Sequence, residues 1–218
     1  PIVLCALAGH TNSVNSVRFN PNGKFAVSGS NDYTVIKWDL SNCSKPEVLF
    51  RHDSWVTALA FSPKGELLAS ASADGTLILW DFVAGRQLYR LALSDLDVNP
   101  ALEALALSVD FSPDGYLLSA SYGNGNVAIW SVTNGILLRK FIAPPVSACA
   151  YGIHCSWVLS TRFSKTSHQL WSSSADGQIL VWPLIQAADS TELRTWLKQN
   201  RYIRNFTQPE KVAYEIDK

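Results

Sequence analysis

Apolar residues two apart, Val17 with Phe19 and Val109 with Phe111, close short runs that have the period of a strand. Polar punctuation follows in Pro21-Asn22-Gly23, Pro63-Lys64-Gly65 and Pro113-Asp114-Gly115. Proline presets φ and glycine accepts a positive one, so each triplet is a turn. A second run, Phe25 to Ser30 or Leu67 to Ser72, then meets an Asp-Gly or Asn-Gly type of turn, the strongest short hairpin signal. The third run is β-branched and ends on a Trp. A fourth, such as Gln87 to Leu91 or Ile136 to Ile142, completes a unit expected to be a four-stranded antiparallel sheet.

The unit is written four times. FNPNGKFAVSGSNDYTVIKWD from Phe19 recurs as FSPKGELLASASADGTLILWD from Phe61, FSPDGYLLSASYGNGNVAIWS from Phe111 and FSKTSHQLWSSSADGQILVWP from Phe163. Every copy places its Trp (Trp38, Trp80, Trp130, Trp182) nineteen positions after the Phe, and a turn Asp or Asn (Asp32, Asp74, Asn124, Asp176) thirteen after it. A fixed period of about 40–50 residues is the mark of a repeat architecture, read before any single residue.

At these residues the chain resembles the WD-repeat (WD40) family of β-propellers, over about positions 9 to 184. Gly9-His10 matches that family's opening dipeptide, Trp38-Asp39 and Trp80-Asp81 its closing one, and His10, His52 and His154 each stand nine positions before the Phe. The resemblance implies a hydrogen-bonded tetrad within each blade: His10/Ser28/Asp32/Trp38, His52/Ser70/Asp74/Trp80 and His154/Ser172/Asp176/Trp182. The third copy departs, with Leu102, Ala120 and Asn124 in place of His, Ser and Asp, and only Trp130 kept. A buried polar network has value only when all its members are satisfied, so that blade is expected to be the least rigid.

The distance from one Phe to the next varies between copies while Phe to Trp does not, so the added residues lie after a Trp. They fall in Ala92 to Glu103 and Ala143 to His154. In the family such loops share a rim with the turns between second and third strands, and extended loops on one face of an array are where binding concentrates. Six positions before the Phe stand Ser13, Trp55, Leu105 and Trp157; four before it stand Asn15, Thr57, Leu107 and Leu159. The resemblance implies that these offsets face a partner around the channel mouth, with Asn31, Tyr33, Ala73 and Ala175 beside them. Trp is enriched at interface hot spots, which makes Trp55 and Trp157 the leading candidates. The plainer reading is that each packs under its neighbouring insertion.

Composition narrows the function classes. With 47% hydrophobic residues the chain can bury a real core, and a single all-β domain of 218 residues is ordinary. Lys plus Arg and Asp plus Glu balance at 18 each, which argues against a broad nucleic-acid footprint. No run reaches the length of a membrane span and no signal-peptide pattern opens the chain, and cytoplasmic residence is expected. The chain begins with Pro1 and has no Met, so it is expected to be a trimmed or partial sequence. Cys5, Cys43, Cys149 and Cys155 show no redox or metal spacing and are expected to be reduced. A site from Cys149, His154, Cys155 and His168 matches no standard zinc pattern, so no metal or other cofactor is expected. Catalysis by the His/Ser/Asp sets is not expected either: they recur in register with a Trp, no nucleophile-elbow motif accompanies them, and the GNGN at 123–126 is a hairpin turn followed by a strand.

The fold expected is all-β: a WD-repeat β-propeller segment of four four-stranded blades over 1–184, with a short helical C-terminal tail over 185–218. The repeats run at about 9–51, 52–93, 94–142 and 143–184, and residues 1–8 read as an orphan outer strand. In the tail, Asp189 to Glu192 looks like a helix start, with Leu193, Trp196 and Leu197 on one face and Arg194, Lys198 and Arg201 on another. That basic face is a solvated surface, or else a membrane-surface or acidic-partner contact. The run from Asn200 to Arg204 with Thr207, Glu210 and Tyr214 is similar to the tail of some bacterial WD-repeat proteins. The function expected is a non-catalytic scaffold for a protein or peptide, with no nucleic acid bound. The alternative is a sensor or regulatory module of a larger signalling enzyme whose catalytic domain lies upstream. A cullin-type ubiquitin-ligase receptor is disfavoured, because Ser41, Val83, Thr133 and Ile185 stand where the family's adaptor-docking pattern has Arg. The resemblance implies blades wedged for roughly sevenfold closure, so four leave three options: the end of a longer ring, which the missing Met and unused leading strand favour, a homodimer completing eight blades, or a strained four-blade disc.

Overall fold

A computed structural model describes residues 6–41, 46–93, 105–141 and 157–184. Among these it contains fifteen strands and no helix. Expectations for the tail from 185 onward, the cysteines, Leu102, His154 and most of both insertions lie outside the described residues. So do residues 1–5 of the expected leading strand; residues 6–8 are not in a strand.

The first sheet pairs β1 (Val14–Phe19), β2 (Phe25–Ser30), β3 (Thr34–Asp39) and β4 (Glu47–Arg51) in that order, all antiparallel. The second repeats the meander with β5 (Val56–Phe61), β6 (Leu67–Ser72), β7 (Thr76–Asp81) and β8 (Arg86–Ala92). The third has β9 (Ala106–Phe111), β10 (Leu117–Tyr122), β11 (Val127–Ser131) and β12 (Leu137–Phe141). The fourth has three described strands where four were expected: β13 (Val158–Phe163), β14 (Gln169–Ser174) and β15 (Ile179–Pro183).

Register follows the sequence pattern. Ser28 opposes Ile36, Ser70 opposes Ile78 and Ala120 opposes Ala128, each at the matching place of its second hairpin. The Pro-x-Gly triplets turn as read, with Gly23, Gly65 and Gly115 all at positive φ. First strands lie side by side in chain order, β1 with β5, β5 with β9 and β9 with β13. Each sheet therefore stacks its face on the next. Between the first two, Val27 and Val35 pack against Val56, Leu59 and Leu68. A larger cluster joins the second and third through Leu77, Leu79, Val109 and Leu118. Strands buried on both faces lose polar alternation, which is why β2, β6 and β10 read as nearly continuous buried runs.

One feature invisible in the pattern is a bulge in every first strand. Val14 pairs with Ser30 and Ser16 with Gly29, leaving Asn15 unpaired. Thr57, Leu107 and Leu159 are left out of their ladders in the same way. An extra residue bends the strand and re-aims its side chain, and it falls at the end of the strand that carries the candidate rim.

Candidate functional site

The first tetrad forms in full. His10 Nδ1 lies 2.8 Å from Asp32 Oδ2, His10 Nε2 lies 2.7 Å from Ser28 Oγ, and Trp38 Nε1 donates to the same Oγ at 2.7 Å. A carboxylate at Nδ1 fixes the proton there, so the Ser28 hydroxyl donates to Nε2. Thr34 adds its hydroxyl to Asp32 Oδ1 at 2.6 Å, and the Thr11 and Thr34 amides donate to the same carboxylate. Burial works against the charge on Asp32, but these bonds and His10 together hold its pKa well below the usual carboxylate range.

The order Ser to His to Asp is that of a hydrolase triad, yet the arrangement cannot attack a substrate. Ser28 and Ser70 are buried, and Trp38 occupies the lone-pair side of the Ser28 oxygen. A nucleophile needs an open approach and an oxyanion pocket beside it. Among the described residues there is no cluster of three metal-ligating side chains.

The second tetrad is only partly as expected. His52 contacts Asp74 at 3.1 Å and Ser70 at 2.7 Å, but Trp80 Nε1 finds no hydrogen-bond partner. The Trp80 ring lies against Phe50 with centroids 4.8 Å apart, much as Trp182 lies against Phe141 at 4.3 Å. Arg90 compensates from β8, reaching Asp74 at 3.1 Å and pairing with Asp53 as well. Burial again opposes the Asp74 charge, while His52, Thr76 and the Asp53 amide outweigh it and lower its pKa. In the fourth sheet Trp182 Nε1 donates to Ser172 Oγ at 2.8 Å, and Asp176 caps the turn through the Gln178 amide.

The rim is built by backbone bonds that recur in all four sheets. The carbonyls of Ser13, Trp55, Leu105 and Trp157 accept the amides of Asn31, Ala73, Gly123 and Ala175 respectively. Each first strand is thereby tied to the turn following the second. Trp55 is 51% exposed and Trp157 49%, and neither is covered by the described chain. Leu105 is half-buried.

The bulged residues divide by chemistry. Asn15 Nδ2 donates to Val56 O at 2.9 Å and to Asn31 Oδ1 at 2.6 Å; Thr57 Oγ1 donates to Ala106 O at 2.6 Å. Both are committed to the seam with the next sheet. Leu107 is half-buried, whereas Leu159 is exposed beside Trp157.

Tyr33 is the rim's unusual residue. Its φ is 73°, where the other three turns have Gly75, Gly125 and Gly177 at 82–85°. A bulky side chain in the left-handed region is strained, at a cost of about 1–3 kcal/mol. Tyr33 is nonetheless exposed, and its carbonyl accepts the His52 amide at 3.0 Å. In sequence Tyr33 stands beside the Trp positions, with no sign of this strain beyond the missing Gly.

Comparison with known proteins agrees with this geometry. The family model described as "WD domain, G-beta repeat" matches residues 2–39, 44–81 and 104–131. The chain is 53% identical over 38 residues to Protein hir1 of Schizosaccharomyces pombe, covering 17% of this chain and 4% of that protein. Nuclear distribution protein PAC1 of Candida albicans is 49% identical over 39 residues, 18% and 8% of the two chains. Protein HIR1 of Yarrowia lipolytica is 36% identical over 47 residues, 22% of this chain and 4% of that one. The matches thus span under a tenth of the length of these relatives.

Proposed function

Because this chain is built of WD repeats, we propose that it is a non-catalytic platform that holds a protein or peptide on the rim formed by Tyr33, Trp55, Trp157 and Leu159. The observation that carries this reading is the exposure of two Trp side chains at equivalent strand positions, on a backbone made rigid by repeated cross-bonds. A large aromatic on rigid backbone contributes contact area at little entropic cost, the usual composition of a binding hot spot. The strain at Tyr33 supports the same reading, since an exposed aromatic contributes no packing that would offset it. Leu105, Leu107, Asn15, Thr57 and Asn31 then act as supports beneath the contact surface.

The test is a displayed random-peptide library panned against the chain. Selected peptides should lose affinity at least about tenfold on the Trp55→Ala, Trp157→Ala double variant, with a melting temperature nearly unchanged because both side chains are exposed. Tyr33→Gly should weaken the same peptides while raising stability by about 1 kcal/mol. Peptides that bind the double variant as well as the natural chain would remove the rim from consideration.

A further inference from the structure

We propose that Asn15 and Asn31 do more than support the rim: together they form an amide couple that holds the main-chain N–H and C=O of one extended residue of a bound peptide. The inference rests on the rim reading and names the chemistry that the rim recognises. The couple is oriented by its own hydrogen bonds. Asn15 Nδ2 donates to Val56 O at 2.9 Å and to Asn31 Oδ1 at 2.6 Å. A backbone carbonyl only accepts, so the nitrogen of Asn15 faces Val56, and its second N–H then meets the oxygen of Asn31. Both protons of Asn15 are thereby used. What is left over is the Asn15 oxygen, an acceptor, and the Asn31 amide nitrogen, a donor. Neither group meets a hydrogen-bond partner among the described residues. Asn15 is exposed and Asn31 half-buried, where the first sheet meets the second. Trp55 immediately precedes Val56 and Tyr33 stands two residues after Asn31, so the couple adjoins both rim aromatics along the chain.

The seam alone does not require two amides. At the matching place of the second sheet Thr57 Oγ1 donates to Ala106 O at 2.6 Å, so a single hydroxyl makes the same bond to the next first strand. The companion of Thr57 is Ala73, and the third and fourth sheets have Leu107 with Gly123 and Leu159 with Ala175. The first sheet alone carries an amide at both positions. Asn15 is also the bulged residue of β1, released from the ladder with β2 and re-aimed by the bulge. A donor and an acceptor on neighbouring side chains reproduce what one residue offers along a strand edge, since facing residues of an antiparallel pair exchange an N–H and a C=O. An extended peptide residue meets the couple with its N–H on Asn15 Oδ1 and its C=O on Asn31 Nδ2. Main-chain recognition of this kind is indifferent to peptide sequence and leaves selection to the side chains that reach Trp55 and Tyr33.

The test takes peptides selected from the displayed library on the full chain and measures their affinity for variants of the couple. Asn15→Thr keeps a hydroxyl for the seam, as Thr57 does, and Asn31→Ala installs the residue of the second and fourth sheets, so both should fold with a melting temperature nearly unchanged. Each should weaken a selected peptide about threefold to tenfold. Synthetic versions of the peptide in which one N–H at a time is replaced by an ester oxygen should lose a similar factor at one residue, and at that residue should lose nothing further on Asn15→Thr. The Trp55→Ala, Trp157→Ala double variant reports on the rim separately. Peptides weakened by the Trp changes but not by the Asn changes would leave the rim standing and remove the couple; peptides weakened by neither, or a library that yields no binder, would remove both. An ester series with no residue coupled to Asn15 would also overturn the proposal. So would a coupling that follows one Gln or Asn side chain of the peptide, which carries the same two groups, in place of its main chain.

Discussion

The first and third sheets share a backbone and a register but are braced by different means. In the first, His10, Ser28, Asp32, Trp38 and Thr34 form a closed chain of hydrogen bonds from the loop before β1 to the end of β3. In the third, Ala120 offers no hydroxyl, and Trp130 Nε1 has no hydrogen-bond partner. At the position where the first sheet has Ser30, the third instead buries Tyr122 completely, in the cluster that also holds Ala120 and Trp130. Asn124 keeps one duty of the lost Asp, accepting the Asn126 amide at 3.2 Å as Asp32 accepts Thr34 at 3.0 Å. The turn is thus capped alike in both sheets, and the brace is exchanged. A net hydrogen bond contributes about 1 kcal/mol, whereas burying a large side chain contributes roughly 1.5–3 kcal/mol, so volume can substitute for the network.

The sharpest way to break this comparison is Tyr122→Ala. It leaves a cavity among the buried side chains of the cluster shared by the second and third sheets, and should cost about 3–5 kcal/mol in urea denaturation. Asp32→Ala should cost less, about 1–3 kcal/mol, by leaving His10, Thr34 and the Thr11 amide without their acceptor. The reverse order would mean that Tyr122 is a filler and that the third sheet is braced by something else.

The two sheets should also separate by pH. Asp32 and Asp74 have pKa values depressed below the usual 3.8, so their contribution is fully present above that value and is lost as pH falls through and below it. Asp110 has the opposite sign: burial raises its pKa, with the Phe163 amide, Arg162 and Arg18 offsetting part of the effect, so its ionisation opposes folding as pH rises past 3.8. Replacing Asp32 and Asp74 by Asn should flatten the fall in stability between about pH 4 and pH 2, while Tyr122→Phe should leave it unchanged. An unaltered acid profile in the double variant would show that the tetrads do not dominate it.

Much of this was legible because a repeat is its own alignment. Matching Phe, Trp and turn positions located the strands to within a residue or so, and the substitutions at Ala120 and Asn124 announced that the third sheet lacked its network. What replaced the network was not legible. Tyr122 reads in sequence as one more residue of a strand, and only the stacked sheets reveal that it is completely buried beside Ala120 and Trp130 in one cluster. The bulges at Asn15, Thr57, Leu107 and Leu159 were also hidden, since an unpaired residue changes no side-chain type. Nor does the sequence announce that Trp80 lacks its indole bond, since the second repeat carries the same His, Ser, Asp and Trp as the first, where Trp38 makes it.

The smallest effect is the most pointed. Tyr122 carries a hydroxyl into a site where it meets no partner at hydrogen-bond geometry, and burial drives the phenol pKa up, with the nearby Trp130 indole offsetting little. If the residue is there for its volume, the oxygen is a burden. Tyr122→Phe keeps the ring and removes the unsatisfied group, and should stabilise the chain by up to about 1 kcal/mol. If instead the hydroxyl braces the sheet through Trp130 as His10 braces Trp38 through Ser28, the same change should destabilise by about 1 kcal/mol. Denaturant midpoints at matched slope distinguish the two signs, and the second outcome would make the third sheet another hydrogen-bonded brace in different residues.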